Sequence, residues 1–373
     1  MRQTAFIYEP ARATIEPGAL NIVQPSRLQY VFELLGSYGA FKLPGSHLIS
    51  PREVSESELL SYHTREYIEA VRGISRGDRR FNPNHYNFSE HGDNPPYPGM
   101  YEAAIAAVGG SLAGAELIVQ EKVDAAFSAI GGLHHAEPHC ASGFCIFNDI
   151  AIAINYLLGR DLRIAYIDID AHHGDGVQRA FYATDQVLTI SIHESGHSLF
   201  PGTGDTGEIG EGAGEGYSVN IPLAAYTDDD TYLWTFREVV PPLVERFSPD
   251  VIVTQLGCDS HYLDPLTHLS LTTQGYTAVV KEMRALSRPW LAIGGGGYDV
   301  SVAARSWTLA YGIMMDTDWS NDIPADYQEL YGIKQLRDVE GPNLNTAART
   351  HARHFAQKGV EEIKRLVFPY HKI

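Results

Sequence analysis

The stretch Tyr166-Ile167-Asp168-Ile169-Asp170-Ala171-His172-His173-Gly174-Asp175-Gly176 begins as a buried strand and ends as a cluster of carboxylates and imidazoles. Three Asp and two His in eleven residues put metal ligands and proton carriers at one strand end. Open α/β sheets build their sites just beyond the carboxyl ends of their strands. One stretch therefore indicates both a fold class and the place of the chemistry.

Around it, short apolar runs alternate with longer helical stretches. Candidate strands cover residues 4–8, 124–130, 163–169, 187–193, 251–256 and 290–293. Candidate helices cover 26–35, 56–71, 99–120, 148–158, 228–247, 273–286 and 302–314. The strand runs are apolar on both faces, as in a parallel sheet covered by helices. Ser55, with Glu58 three residues on, makes a capping-box pattern at the second helix. The alternation reads as one doubly wound α/β domain without repeats. The glycine-rich run 201–216 reads as a surface loop of the kind that borders sites. Beyond about residue 316 the chain is helical and polar and says little about function.

The 373 residues are 44% hydrophobic and 20% charged, enough apolar material for a large core. A formal charge of -18 argues against a nucleic-acid-binding face and suits a cationic substrate or simple solubility. Three cysteines, Cys140, Cys145 and Cys258, make no disulfide framework and point to a reducing, cytoplasmic setting. The N-terminus shows no signal-peptide apolar run. No unbroken apolar stretch of about 18 residues suggests a membrane span.

Seven of the sixteen histidines fall between His134 and His197. Asp170 and His172 point the same way if strand geometry persists, so they can grip one divalent metal. Asp259, just after the run 251–256, is the best third ligand. Two Asp and one His with open positions is a catalytic rather than a closed structural set. A hydrogen-bonded polar turn is the competing reading. Gly131-Gly132-Leu133-His134-His135-Ala136 follows another strand, and neutral imidazole is a good base near pH 7. Asp168 and Asp175 are the spare carboxylates able to fix the His134 and His135 tautomers. A second metal site or a satisfied turn competes here. Gly294-Gly295-Gly296-Gly297-Tyr298 leaves the last strand, matches neither phosphate-loop pattern, and offers the Tyr298 hydroxyl to a developing oxyanion. Phe144 and Phe200, if both line the mouth, make an apolar slot for an extended alkyl chain.

Together these motifs resemble the histone deacetylase family, and within it bacterial deacetylase-like and acetoin-utilisation proteins, from about Arg27 to Trp307. The resemblance rests on Gly-Gly-Leu-His-His-Ala, Ala-Ser-Gly-Phe-Cys, the opening stretch, Phe-Pro-Gly-Thr-Gly, Gln-Leu-Gly-Cys-Asp and Gly-Gly-Gly-Gly-Tyr, in this order. It implies an arginase-like fold with an eight-stranded, mostly parallel sheet, a catalytic core over about 4–315 and a helical extension over about 316–373. It implies one zinc ion held by Asp170, His172 and Asp259, and a lysine deacylase acting on protein or peptide. In that mechanism the metal and His135 activate a water, and His135, oriented by Asp175, protonates the leaving amine. His134, paired with Asp168, tunes the electrostatics, and Tyr298 helps stabilise the oxyanion. Phe144, Phe200, Gly143 and Leu266 would border the acyl-lysine channel, with Asp93 at the rim holding the substrate backbone.

The resemblance also implies structural potassium. One ion would use Asp168, Asp170, His172, Ser191 and Ile192; a second, Phe181, Thr184, Val187 and Tyr217. Two departures stand out. Residues 15–22 lack the Gly-His-Pro common near the pocket mouth of relatives. Leu266 stands where the polyamine-specific branch has a gatekeeping glutamate. Alternatives to a protein deacylase are a deacetylase of polyamines or another acetylated metabolite, and a silent acyl-lysine binder. An arginase-type two-manganese enzyme fits the single Asp-x-His poorly.

Overall fold

The structure, a computed structural model, describes residues 2–9 and 26–373. The departure at residues 15–22 lies outside the described residues. Eight parallel strands make one sheet: β1 (Thr4–Ile7), β2 (Ser46–Ile49), β3 (Ala125–Ser128), β4 (Ile164–Asp168), β5 (Val187–Glu194), β6 (Ser218–Leu223), β7 (Val251–Gln255) and β8 (Trp290–Ile293). Their spatial order is β2-β1-β3-β8-β7-β4-β5-β6. Every pairing among the described residues is parallel.

Burial on both faces explains the apolar strand runs. Along β4, Ile164 and Tyr166 enter one core while Ala165 and Ile167 enter the other, the alternation of a pleated strand. One face is covered by α1 (Ser26–Ser37), α7 (Asp229–Phe247), α8 (Thr273–Ala285) and α9 (Val300–Met314). The other carries α4 (Met100–Val119), α5 (Asp149–Leu158) and α6 (Asp175–Phe181). By length and composition α4 could cross a membrane, but it is largely buried and packs on α5 and β3.

Several sequence expectations need correction. The helix expected over 56–71 is two: α2 (Glu56–Leu59) and α3 (Arg65–Ser75). The capping box at Ser55 forms as expected. The break comes at Thr64, whose extended backbone and side chain start a second helix by accepting from the Tyr67 N–H. Two strands were not among the residue-based candidates. β2 is a half-exposed edge strand without a buried apolar run, and β6 emerges straight from the glycine-rich loop. α6 was hidden because its residues read as part of the metal motif.

The C-terminal part holds α10 (Ala325–Tyr331), α11 (Thr346–Leu366) and α12 (Phe368–His371). It is tied to the loop after β7 by a buried cluster. Asp338 accepts from His261 Nε2 at 2.8 Å, from the Thr273 N–H at 2.7 Å and from Arg305 Nη1 at 2.6 Å.

Candidate active site

Four neighbouring strands at the middle of the sheet, β3, β8, β7 and β4, deliver the chemistry from their carboxyl ends. β3 leads to His134 and His135, β4 to Asp168 through Asp175, β7 to Asp259, and β8 to the glycine turn and Tyr298.

The two histidines are held from behind. His134 Nδ1 lies 2.8 Å from Asp168 Oδ2, and His135 Nδ1 lies 2.7 Å from Asp175 Oδ1. Their Nε2 atoms face each other at 3.0 Å. Burial opposes charge on His134, but Asp168 and then Asp170 outweigh it and raise the ring to about 9. His135 goes the other way, lowered to about 4 by burial and by the charge of His134, against the pull of Asp175. The pair thus separates into one cationic and one neutral imidazole.

The N-terminus of α5 sets the backbone under this pair. Asn148 caps the helix through the Ala151 N–H at 2.9 Å, and its amide donates to the carbonyls of His134 and Ala136 at 3.2 and 3.1 Å. The buried Asp149 carboxylate accepts from the Leu133 N–H at 2.8 Å, from the Gly132 N–H and from the Ser111 hydroxyl. Sequence reading missed both residues. The signal was present as an Asn-Asp pair at a helix start, a capping pattern.

Asp170, His172 and Asp259 are buried, with ligand atoms within 4.8 Å of one another. His172 Nδ1 lies 3.0 Å from both Asp170 Oδ1 and Asp259 Oδ2. The outer oxygens are taken by the protein: Asp170 Oδ2 accepts from Gln255 Nε2 at 2.6 Å and the Gly296 N–H at 2.8 Å, and Asp259 Oδ1 from the Ala171 N–H at 2.8 Å. Each carboxylate is therefore oriented inward by an outer partner, as metal-binding side chains are. Burial and the adjacent Asp170 push the Asp259 carboxyl up to about 8. Two desolvated carboxylates on one imidazole are costly alone and are relieved by a cation. The oxygen and nitrogen donors fit a divalent metal. A Cβ at Gly296 would lie 2.1 Å from Asp259 Oδ2 and 2.8 Å from Asp170 Oδ2, so the turn after β8 must be glycine. Gln255 was another residue that sequence reading missed, hidden at the end of an apolar strand.

Tyr298 is seated by the loop after β7. Its N–H donates to Asp264 Oδ2 at 2.9 Å, and Asp264 Oδ1 takes the Leu266 N–H at 2.9 Å. Burial, then Asp259 and Asp170, push the Tyr298 hydroxyl well above the usual phenol range, so it stays a donor. The Phe144 ring lies 6.0 Å from the Tyr298 ring; the Phe200 ring lies 5.0 Å from His135 and 6.5 Å from His172. Gly143 and Phe144 both have left-handed backbone, φ 49 and 67. A Cβ at Gly143 would come within 2.5 Å of His135 Cδ2 and 2.9 Å of the Phe200 ring. These residues thus share one apolar mouth above the histidines.

The remaining candidates are placed as follows. Asp168 and Ser191 are register partners across β4 and β5, with Ile192 buried beside them. The segments carrying Phe181, Thr184, Val187 and Tyr217 run side by side, joined by Glu211 N–H to Tyr182 and Thr189 N–H to Tyr217. His173 is held by the Thr203 hydroxyl at 2.8 Å and Gln178 at 3.1 Å, which keeps it out of the ligand set. Asp93 is exposed on the loop before α4, with no hydrogen bond or ion pair to the cluster among the described residues.

The histone deacetylase domain family matches residues 21–314. The chain belongs to the histone deacetylase family. It is 40% identical to the acetoin utilization protein AcuC of Bacillus subtilis over 334 residues, covering 88% of this chain and 86% of that protein. It is 39% identical to histone deacetylase B of Dictyostelium discoideum over 315 residues, 84% of this chain and 74% of that one. Human histone deacetylase 1 is 37% identical over 368 residues, 98% of this chain and 76% of its own length. The expected family and the α/β arginase/deacetylase-like fold are thus borne out, and the chain is a hydrolase of the deacetylase family.

Proposed function

We propose that this histone deacetylase family member is a zinc-dependent lysine deacylase acting on acyl-lysine in protein or peptide. One observation carries the reading: the buried Asp170, His172 and Asp259 stand beside two imidazoles whose far nitrogens are each fixed by a carboxylate. A divalent ion held by that trio would supply a Lewis acid and a water of lowered pKa. His135, neutral and oriented by Asp175, takes the proton of the attacking water. Oxygen adds to the acyl carbon, and the Tyr298 hydroxyl donates to the oxygen where charge develops. The C–N bond then breaks, the proton passes from His135 to the lysine nitrogen, and carboxylate and amine leave. His134, held cationic by Asp168, shapes the field at that proton transfer. Phe144, Phe200, Gly143 and Leu266 enclose the alkyl chain, and Asp93 orients the peptide from the rim.

Potassium at Asp168, Asp170, His172, Ser191 and Ile192, and at Phe181, Thr184, Val187 and Tyr217, belongs to the same proposal, as a structural ion. So does a cytoplasmic setting, which the three free cysteines suit. The likeness to a protein named for acetoin utilization favours a second reading, hydrolysis of an acetylated small molecule. The deciding assay is a fluorogenic acyl-lysine peptide with metal-quantified protein. Turnover at full metal occupancy supports the enzyme; full occupancy without turnover leaves a binder.

A further inference from the structure

Glu194, the last residue of β5, is a fully buried carboxylate that the proposed chemistry does not use. It sits at the root of the loop that carries Phe200. Its Oε1 accepts from the Ser198 hydroxyl at 2.9 Å and faces His268 Nδ1 at 3.1 Å; its Oε2 accepts from the His268 N–H at 2.8 Å. Ser198 is two residues before Phe200, and His268 is two residues after Leu266. A helical turn with Ser198 and Leu199 N–H groups on the Ser195 carbonyl makes the Phe200 side stiff. On the other side, the Tyr226 N–H holds the His268 carbonyl at 2.7 Å. Leu266 in turn shares the Asp264 carboxylate with the Tyr298 backbone. One buried carboxylate therefore joins the Phe200 loop to the loop that carries Leu266, the two proposed walls of the mouth.

We propose that Glu194 is a positioning residue that sets the gape of the channel around the lysine chain, and with it the KM for acyl-lysine, by tying the Phe200 loop to the Leu266 loop. This rests on the deacylase reading of the site. A charge-assisted tie to a backbone N–H is among the stronger hydrogen bonds, and a buried carboxylate keeps its donors fixed. The exposed His268 ring adds little; the backbone bond and Ser198 carry the tie.

The test compares the parent with Glu194→Ala and Glu194→Gln in the full chain. The glutamine oxygen still accepts the His268 N–H, and the Ser198 hydroxyl and His268 ring can turn to accept from its amide. Glu194→Gln therefore rescues, while Glu194→Ala releases both loops. In Glu194→Ala, hydrogen exchange over 195–200 and 264–270 rises together. KM for an acetyl-lysine peptide rises about tenfold, the scale on which a pocket reads one or two methylenes away from the reacting carbonyl, while kcat changes little. If Glu194→Ala does not fold, Ser198→Ala with His268→Pro removes the hydroxyl and the backbone N–H that Glu194 holds, and shifts both readouts the same way. A KM unchanged from the parent, or loosening of one loop alone, overturns the proposal. If the parent does not cleave the peptide, the deacylase reading fails, and the exchange data alone decide whether Glu194 couples the loops.

Discussion

His134 and His135 meet Nε2 to Nε2 at 3.0 Å, while each ring is anchored at Nδ1 by its own carboxylate, Asp168 and Asp175. Two imidazoles so close share a proton unequally, and only the neutral ring can accept another. His135→Ala is expected to lower kcat about 10²- to 10⁴-fold, the usual loss for a general base. Tyr298→Phe is expected to cost about 10²- to 10³-fold, as for one oxyanion donor. His134→Ala should cost less than His135→Ala, and metal content should match the parent in all three. Steady-state kinetics beside metal analysis check this; equal kcat in parent and His135→Ala would contradict it.

The inward orientation of Asp170, His172 and Asp259 predicts metal dependence. Removing bound metal with a chelator should abolish turnover, and one equivalent of Zn²⁺ should restore it. Asp259→Ala should bind metal weakly and stay inactive on reconstitution. Gln255→Ala, which removes the amide donor from Asp170 Oδ2 and the acceptor of the Gly257 N–H, should weaken metal affinity by about 10- to 100-fold, the range for an outer partner of a ligand. Competition with a chromogenic chelator reads both.

Gly143 stands against His135 and the Phe200 ring with no room for a methyl group. Its left-handed backbone disfavours a side chain as well. Gly143→Ala should lower kcat/KM by more than tenfold while leaving metal content intact. Catalysis is sensitive to displacements of roughly 1 Å. Unchanged kcat/KM would show that the mouth is not where the rings place it.

A separate pH effect is expected from His63. It is deeply buried, and its Nε2 accepts the Asn148 N–H at 2.9 Å. Burial lowers its pKa from 6.5 to about 3. Protonation would turn that acceptor into a donor facing a donor. Because the folded value is depressed, the unfolded chain binds more protons between these two values. The contribution is fully present above about pH 6.5 and is lost progressively as pH falls towards 3. At pH 5 the loss is about 2 kcal/mol, from 1.36 kcal/mol per unit. Denaturant melts of parent and His63→Gln at pH 7 and pH 5 isolate it, since the variant should lack this part of the pH dependence. Parallel losses in both would contradict it.

The sequence made the site legible where chemistry and strand end coincide. His134, His135, Asp168, Asp170, His172, Asp175, Asp259 and Tyr298 all lie at or beyond the ends of apolar runs, and the central strands bring them together. It was poorly legible where the deciding interaction is long-range. Thr64 breaks a helix that periodicity joined, because capping competed with an unbroken amphipathic pattern. β2 lacked a buried apolar run, being an edge. Glu194 and Gln255 act through hydrogen bonds to groups distant in sequence, His268 and Asp170, which no local pattern encodes, while Asn148 and Asp149 carried only a helix-capping signal. Asp338 connects the C-terminal segment to the loop after β7 in the same way.

The central claim is that this site cleaves acyl-lysine in polypeptide. The most direct measurement is a competition between an acetyl-lysine peptide and an acetylpolyamine for metal-loaded protein, with the two released amines quantified by mass spectrometry. The expected result is the larger kcat/KM for the peptide, abolished by His135→Ala. Preferential cleavage of the acetylpolyamine, or turnover of neither at full metal occupancy, would contradict the claim.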